Sequence, residues 1–537
     1  MPIPSKNKNV GLCNKCQGRV PAAFVERDGK VWIRKNCPDH GETESLVSSD
    51  VAAWQAKRDL WEYVPTDPVA CTLKCDRCRV DHHANLVFLD VTNHCNMHCP
   101  ICIASIRAMG FDYNPPMEYF DRIFAHISQW TPKPGVQLFG GEPTVRDDLL
   151  EIIALARKYG LRPNVTTNGV RLADEAYART FCEASVPTRF ACDGLNADIY
   201  EKLRHNRPAF EKKMKGLENL KKYSRVKQTI LSCFAWGIND QYLGDLIQYC
   251  HDNREWVSTL AIIPLADTWD PKEFKTTAVG NTLEDAERMV QEAVPEGKVE
   301  FIPAGLSYAF RIPYRFFKKS DRPSDVLLMA GVHPNCESMT ILVSDGKKFR
   351  SVNHYMKQPF PKAMAELAAM CKRIEPRLAK LDHTKRLQRM RGQWLTVMAS
   401  IPWILRNLSF WAMADGNPPL ALAKLALNPL KRRWARWNAK DPLAAKRRRR
   451  RVFRVAMLPF EEQHSVDAGR LENCKSVFAY EDDKGEIQTI PACMWPPYRN
   501  VVLKVVSQKW GVVDSKGQLK GKADANKAEA AATGPTA

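Results

Sequence analysis

From Asn85 onward the chain alternates two hydrophobic periods. NLVFLDVT (85–92) is a continuous apolar and branched run of strand length. MEYFDRIFAHISQW (117–130) and RDDLLEIIALARKYG (146–160) instead repeat apolar residues at helical spacing, and Gly160 stops the second. Between them GVQLFGGEP predicts a strand that ends at paired glycines. NVTTNG, RFACDG, TILSCFAWG and LAIIPLA predict further strands with helices between them. A repeated β/α unit of this kind predicts an α/β fold with a parallel sheet or open barrel. After about residue 270 the pattern blurs. Residues 355–430 read as mostly helical and include WLTVMASIPWILRNLSFWAMA, which is apolar but broken by Pro402 and Arg406. At the other end, a strand pair is expected around GKVWIRKNC, and the tail KADANKAEAAATGPTA lacks any large apolar residue and should be disordered.

At 537 residues the chain exceeds one compact core, so a catalytic domain with smaller modules is expected. The pattern divides it into a Cys/His metal-binding module (1–65), a short cysteine segment (66–84), a β/α core (85–270) and a core extension (271–354). A helical and basic region (355–455), a C-terminal cysteine module (456–510) and the tail (511–537) follow. Hydrophobic content of 45% and charged content of 26% place it among soluble globular proteins. MPIPSKNKNV has no apolar centre, so no signal peptide is expected. No uncharged apolar run reaches about 18 residues, so no spanning helix is expected either, and a cytoplasmic location follows.

In such a compartment thiols stay reduced, so clustered cysteines point to metal rather than to disulfides. Of seventeen cysteines, nine fall in three close groups before residue 103. Cys95-x-x-x-Cys99-x-x-Cys102 directly follows the first strand of the β/α repeat. Three thiolates on one loop can hold three irons of a 4Fe–4S cube and leave the fourth open to a small chelating ligand. A zinc knuckle, the alternative, usually pairs Cys-x-x-Cys with a second pair at a distance. Gly140-Gly141-Glu142-Pro143 ends the next strand, where backbone acceptors and a carboxylate suit an ammonium group. Cys71-x-x-x-Cys75-x-x-Cys78 repeats the 3-then-2 spacing with no strand before it, no answering glycine motif and no local fourth ligand. It reads as an auxiliary cluster or a zinc site. Cys13, Cys16 and Cys37 have zinc-ribbon-like spacing that fits one mononuclear Zn or Fe. His40 is either the fourth ligand or a turn-holding side chain. Cys474 and Cys493 flank a hairpin turned at Asp483-Lys484-Gly485, with Cys336 as a partner; unliganded core thiols are the alternative.

The cysteine loop and GGEP in register closely resemble the radical S-adenosylmethionine (SAM) superfamily. The resemblance implies a partial (β/α)6-type barrel in which Thr167, Asn168 and Asp193 line the SAM site, although each also suits a cap or turn. It also implies a reduced cluster that splits SAM to methionine and a 5′-deoxyadenosyl radical. The N-terminal CxxC…CPxHG, the second cysteine triplet, HPxC and the Cys-hairpin-Cys together resemble a narrower subfamily. It contains the archaeal tetraether lipid synthase and pterin-methylase-like proteins with one or two auxiliary 4Fe–4S clusters. Across most of residues 10–340 and 455–500 this implies C–C bond formation on membrane lipid chains, or methyl transfer to a pterin-like molecule. An external donor such as ferredoxin or flavodoxin would supply the electron. Where that group reads DGRIIPFC, this chain has GEIQTIPAC followed by MWPPYR, a departure that bears on the substrate.

Charge then adds a partner. Lys431–Arg454 holds twelve Lys or Arg and one Asp, a local net charge of +11 within the chain's +20. Such a stretch attracts anionic head groups or phosphate backbones. The apolar run 394–414 before it suits a membrane interface, and suits an ordinary buried helix pair as well. A zinc-stapled nucleic-acid-binding protein would explain the charge but neither GGEP nor the β/α repeat, so nucleic acid is not the expected partner.

Overall fold

The computed structural model describes residues 9–61, 71–75, 78, 80, 82, 84–104, 106, 109–266, 282–318, 329–413, 451–462 and 464–514. The basic run Lys431–Lys440 and Lys446–Arg450, and the tail beyond residue 514, lie outside the described residues.

The N-terminal segment is a four-stranded antiparallel meander of β1 (Asn9–Leu12), β2 (Arg19–Arg27), β3 (Lys30–Cys37) and β4 (Gly41–Ser48), two strands more than expected. Asp28 and Gly29 both take positive φ between β2 and β3, the conformation of a tight hairpin turn. Helix α1 (Val51–Leu60) follows, capped by the Asp50 side chain on the Ala53 N–H.

The second sheet has twelve strands. Six come in sequence from the β/α repeat: β5 (Leu86–Thr92), β6 (Gly135–Gly140), β7 (Arg162–Thr167), β8 (Thr188–Ala191), β9 (Gln228–Phe234) and β10 (Val257–Pro264). They are parallel neighbours in that order. Between them run α2 (Met117–Ile127), α3 (Leu149–Lys158), α4 (Glu175–Glu183), α5 (Ala197–Arg204), α6 (Ala209–Tyr223) and α7 (Leu243–Asp252). Val136, Val165, Phe190, Ile230 and Leu260 share one buried core with Phe120, Ile123, Ile152, Leu217 and Leu246 of these helices. One sheet face is therefore covered by helices, and the alternate residues face the other way.

The downstream chain is built into the same sheet. Helix α8 (Leu283–Ala293) leads to β11 (Ile302–Pro303), α9 (Arg311–Lys318), β12 (Ser338–Ser344) and β13 (Phe349–Ser351). Then β14 (Val452–Met457) pairs parallel with β10 and antiparallel with β12. The end of the stretch grouped as basic and helical is thus a sheet strand, because Phe453, Val455 and Met457 alternate into the core. On the other side β15 (Ser476–Glu481) lies parallel to β5, and its hairpin partner β16 (Ile487–Pro491) closes that edge. The C-terminal cysteine module is accordingly an edge of the main sheet. Residues 512–513 are buried, with the Val513 N–H donating to Asn114 O, so the packed chain runs past the boundary drawn at 511. Helices α10 (Phe360–Leu378) and α11 (Arg386–Asn407) pack against α9, and α11 runs through Pro402 without ending there.

One buried ion pair joins the C-terminal helix Trp495–Trp510 to the first core strand. Arg499 donates to both Asp90 carboxylate oxygens (2.6 and 3.1 Å), Trp495 Nε1 donates to the second at 2.8 Å, and Arg499 also reaches Ala104 O in the cysteine loop. Both charged side chains are almost fully buried. Arg499→Met should lower unfolding free energy by about 3–5 kcal/mol, because it strands a buried carboxylate. Adding Asp90→Asn should recover part of that loss. A denaturant midpoint unmoved by Arg499→Met would refute this account.

Candidate metal and cofactor site

The cysteine loop leaves the C-terminal end of β5, and two neighbouring loops fix its position. Gly141 N–H donates to Thr92 O (2.7 Å) and Glu142 N–H to His94 O (2.8 Å). A Cβ on Gly140 would lie 2.3 Å from Thr92 O, and one on Gly141 2.1 Å from His94 O. Only glycines let the two loops approach this closely. Their backbone contact is thus with the cysteine loop itself. Pro143 then opens a 3-10 turn. Glu142 points inward and is 1% exposed. It accepts from Thr144 N (3.1 Å), Thr144 Oγ1 (2.6 Å), Thr167 Oγ1 (2.7 Å) and Asn168 N (2.6 Å). Burial raises its pKa while these donors oppose the rise. Asn168 donates to Asn96 Oδ1 (2.7 Å) and points at Cys95 Sγ (3.9 Å). GGEP, TTNG and the cysteine loop therefore meet at one place.

Asp193, after β8, is committed elsewhere. Arg204 grips both its oxygens (2.8 and 2.9 Å), and the Cys233 N–H donates to it at 3.0 Å. The structure thus gives Asp193 a holding role at the end of β8, beside the cysteine loop, where the sequence left lining the SAM site or a cap or turn open. The pairing brings in two groups the sequence did not single out. Arg204 and the buried Lys213, whose Nζ donates to Ala191 O (2.8 Å), both act to lower the Cys99 pKa, against the burial that raises it. Burial pushes the Cys95 thiol up to about 12. Three half-buried thiols, with Arg204 and Lys213 acting on Cys99, form a donor set that suits an anionic thiolate-bound cluster. No sequence period links residues 193, 204 and 213; the packing of α5 and α6 over the end of β8 brings them together.

Cys13, Cys16, Cys37 and His40 place their ligand atoms within 4.8 Å of one another. His40 Nδ1 lies 3.4 Å from Cys37 Sγ and 3.9 Å from Cys13 Sγ, close to the spacing around one tetrahedral ion. Backbone N–H groups of Cys16 and Lys15 help hold the Cys13 thiol down to about 6. No other such group among the described residues is this tight.

Cys336, Cys474 and Cys493, from three separate segments, lie close enough for their charges to interact, and Arg470 and Glu461 lie beside them. The Glu461 N–H points at Cys493 Sγ (3.4 Å), and Arg470 pairs with Glu461 at 3.2 Å. Cys71 also feels Glu461, which places the second triplet near this group. In that triplet Cys78 Sγ lies 3.5 Å from His82 Nε2. A local nitrogen thus stands where the sequence offered no fourth ligand.

Residues 89–250 match the radical SAM superfamily, and residues 8–49 match the HMPTM N-terminal zinc ribbon domain. The chain is similar to the 7,8-dihydro-6-hydroxymethylpterin dimethyltransferase of Methanocaldococcus jannaschii, with 33% identity over 300 residues. That match covers 53% of this chain and 58% of the relative, so the chain spans less than two thirds of that relative's length. A probable GTP 3′,8-cyclase of the same organism is 25% identical over 233 residues, covering 42% of this chain and 75% of its own. A similar solved structure is Streptococcus suis SuiB bound to S-adenosylmethionine, at 13% identity and a TM-score of 0.32, covering 52% of this chain and 69% of that one.

The ribbon buries a small apolar set (Leu12, Cys13, Val20, Val25, Val31, Ile33 and Cys37), a slight core for a sheet without metal. The full chain should carry one zinc or iron there, and Cys37→Ser should lose that equivalent and expose residues 9–48 to protease. Equal protease resistance in the metal-free variant would count against a structural ion.

Proposed function

We propose that this chain, which belongs to the radical SAM superfamily through residues 89–250, binds a 4Fe–4S cluster on Cys95, Cys99 and Cys102 and cleaves SAM reductively. The observation that carries the reading is the meeting of three strand-end loops around these thiols through the buried Glu142. When bound, the cluster supplies one electron to SAM, giving methionine and a 5′-deoxyadenosyl radical. The chain's own residues do the positioning. Gly140, Gly141 and Pro143 shape the loop, Asn168 faces the cysteines, and Arg204 and Lys213 balance thiolate charge. Cys71, Cys75 and Cys78, and separately Cys336, Cys474 and Cys493, would hold auxiliary clusters, with His82 completing the first set. An external low-potential donor of ferredoxin or flavodoxin type supplies the electron.

The reaction class is transfer that forms a bond to carbon. Methyl transfer to a pterin-like heterocycle is the reading favoured by the 33% identity to the pterin dimethyltransferase. Coupling of membrane lipid chains is a second reading, and α11 favours it. Leu387, Met390, Trp394, Val397, Met398, Ile401 and Leu405 stand exposed along its length. From His383 to Ala414 the sequence has five Lys or Arg and no acid. No helix among the described residues is long and apolar enough to cross a membrane, so such a stripe would lie on a surface.

Replacing Cys95, Cys99 and Cys102 together by Ala should abolish 5′-deoxyadenosine formation by the anaerobic, reduced protein while iron and acid-labile sulfide remain at the other sites. Retained cleavage sinks the assignment. Zinc alone at those other sites, without labile sulfide, sinks the auxiliary clusters. On the lipid reading the protein should sediment with anionic vesicles at low salt, and Trp394→Glu with Ile401→Glu should weaken that at least tenfold. Equal sedimentation of the variant removes the support that α11 gives.

A further inference from the structure

We propose that the face of the parallel sheet turned away from α2–α7, centred on Arg189, Arg454 and Glu337, recognises a planar heterocycle bearing oxo or anionic acceptors and N–H donors. This rests on the radical SAM reading for its chemistry, but the surface stands on the sheet register alone. Across β7, β8, β9, β10 and β14 the partners run Thr166–Arg189–Thr229–Thr259–Arg454. Register partners project to the same side, so these five side chains form one polar row. The residues one step along (Val165, Phe190, Ile230, Leu260 and Val455) are buried with the helices. The polar row therefore lies on the face turned away from α2–α7, and both arginines are only half-buried there.

Further polar groups extend the row. Gln137 on β6 donates to Thr166 Oγ1 at 2.9 Å, and its buried Oε1 accepts no hydrogen bond. Arg454 reaches Thr259 Oγ1 at 3.3 Å. Glu337 immediately precedes β12, whose Ser338 pairs with Met457 at the C-terminal end of β14, so it lies at the same end of the parallel strands as the cysteine loop. It is 8% exposed, its Oε2 accepts no hydrogen bond, and it lies within electrostatic reach of both Arg454 and Arg189. On the same face, toward the β15 edge, Phe88, Phe139 and Phe478 form an aromatic wall with centroids 5.0–5.9 Å apart, backed by Trp495 stacked on Phe478.

These groups match one ligand chemistry. An aromatic wall takes a ring face. Guanidinium groups donate to oxo, ring-nitrogen or phosphate acceptors, and a buried carboxylate accepts from ring or exocyclic N–H. A hydrocarbon chain in the same space would cover the buried Glu337 Oε2 without giving it a donor. A methyl-accepting heterocycle would place its carbon below the cysteine loop while its polar edge meets the row.

The test uses the full chain, reconstituted anaerobically, with 7,8-dihydro-6-hydroxymethylpterin and GTP as probes and a dialkyl lipid in detergent as the rival. Calorimetric titration should give saturable binding of at least one heterocycle. Arg189→Met and Arg454→Met should each raise its Kd at least tenfold, and Arg454→Lys should raise it less. Glu337→Gln should weaken the probe with the richer N–H edge more than the other. Iron content and thermal midpoint serve as checks that the variants fold, and a variant that fails either check is replaced by the Lys form. Binding of neither heterocycle, binding insensitive to both arginine changes, or binding of the dialkyl lipid in their place would overturn the proposal. Absence of 5′-deoxyadenosine from the wild-type protein would overturn the radical SAM reading, while the titration would still decide this one.

Discussion

The arrangement of the site depends on one buried carboxylate. Glu142 sits in a place where a charge without partners would be costly, and four donors from two loops offset that cost. Because those donors come from Thr144, Thr167 and Asn168, the carboxylate ties the ends of β6 and β7 together. Its own N–H and that of Gly141 tie both ends to the cysteine loop. Loops are usually the loosest part of an α/β sheet, yet here three of them share one hydrogen-bonded centre. A cluster that must present one open iron to a small ligand needs such a frame, since a displacement of even an ångström alters reactivity.

A second constraint extends the frame to the rest of the chain. Asp90 lies in the first core strand and Arg499 in the last described helix, and their pairing also reaches Ala104 O beyond the last cysteine of the loop. The C-terminal segment thereby becomes part of the catalytic half of the molecule. Strands β14 and β15 carry the same logic, one extending each side of the six-strand repeat. β12 and β15 lie toward opposite ends of the strand order, yet Cys336, Cys474 and Cys493 come close enough for their charges to interact although up to 157 residues separate them in sequence. Arg470 and Glu461 form a buried pair beside these thiols. A buried cation near thiolate sulfur is a recognised means of tuning cluster potential.

The two faces of the sheet divide the work. The helix-covered face is apolar and supplies stability through burial. The other face holds arginine and threonine in register with Gln137 bonded beside them, which would be a poor choice for packing and is a sensible one for holding a polar ligand. The exposed stripe on α11 is separate from both, lying on a helical layer outside the sheet. The polar row and the α11 stripe are thus physically separate features of this chain.

Local chemistry in the sequence determined a great deal. The alternation of strand and helix periods, the 3-then-2 cysteine spacing after a strand, paired glycines at a strand end and the ribbon-like CxxC…C are short-range patterns. Each reflects backbone geometry or ligand reach within a few residues, so each is legible without a fold. What the tertiary structure alone decided is long-range. Asp193 turns to Arg204 because a helix returns over β8, which no spacing foretells. His82 faces Cys78 at four residues' distance, but only the fold turns the ring inward. Residues 452–457 read as the end of a basic tract because the Lys and Arg just before them dominate the composition, whereas Phe453, Val455 and Met457 complete the sheet core. Arg189 and Arg454 lie 265 residues apart and share a face only because β8, β9, β10 and β14 align in one register. Pairing between distant strands is set by the burial of their common apolar face, a property of the assembled sheet and not of any segment within it.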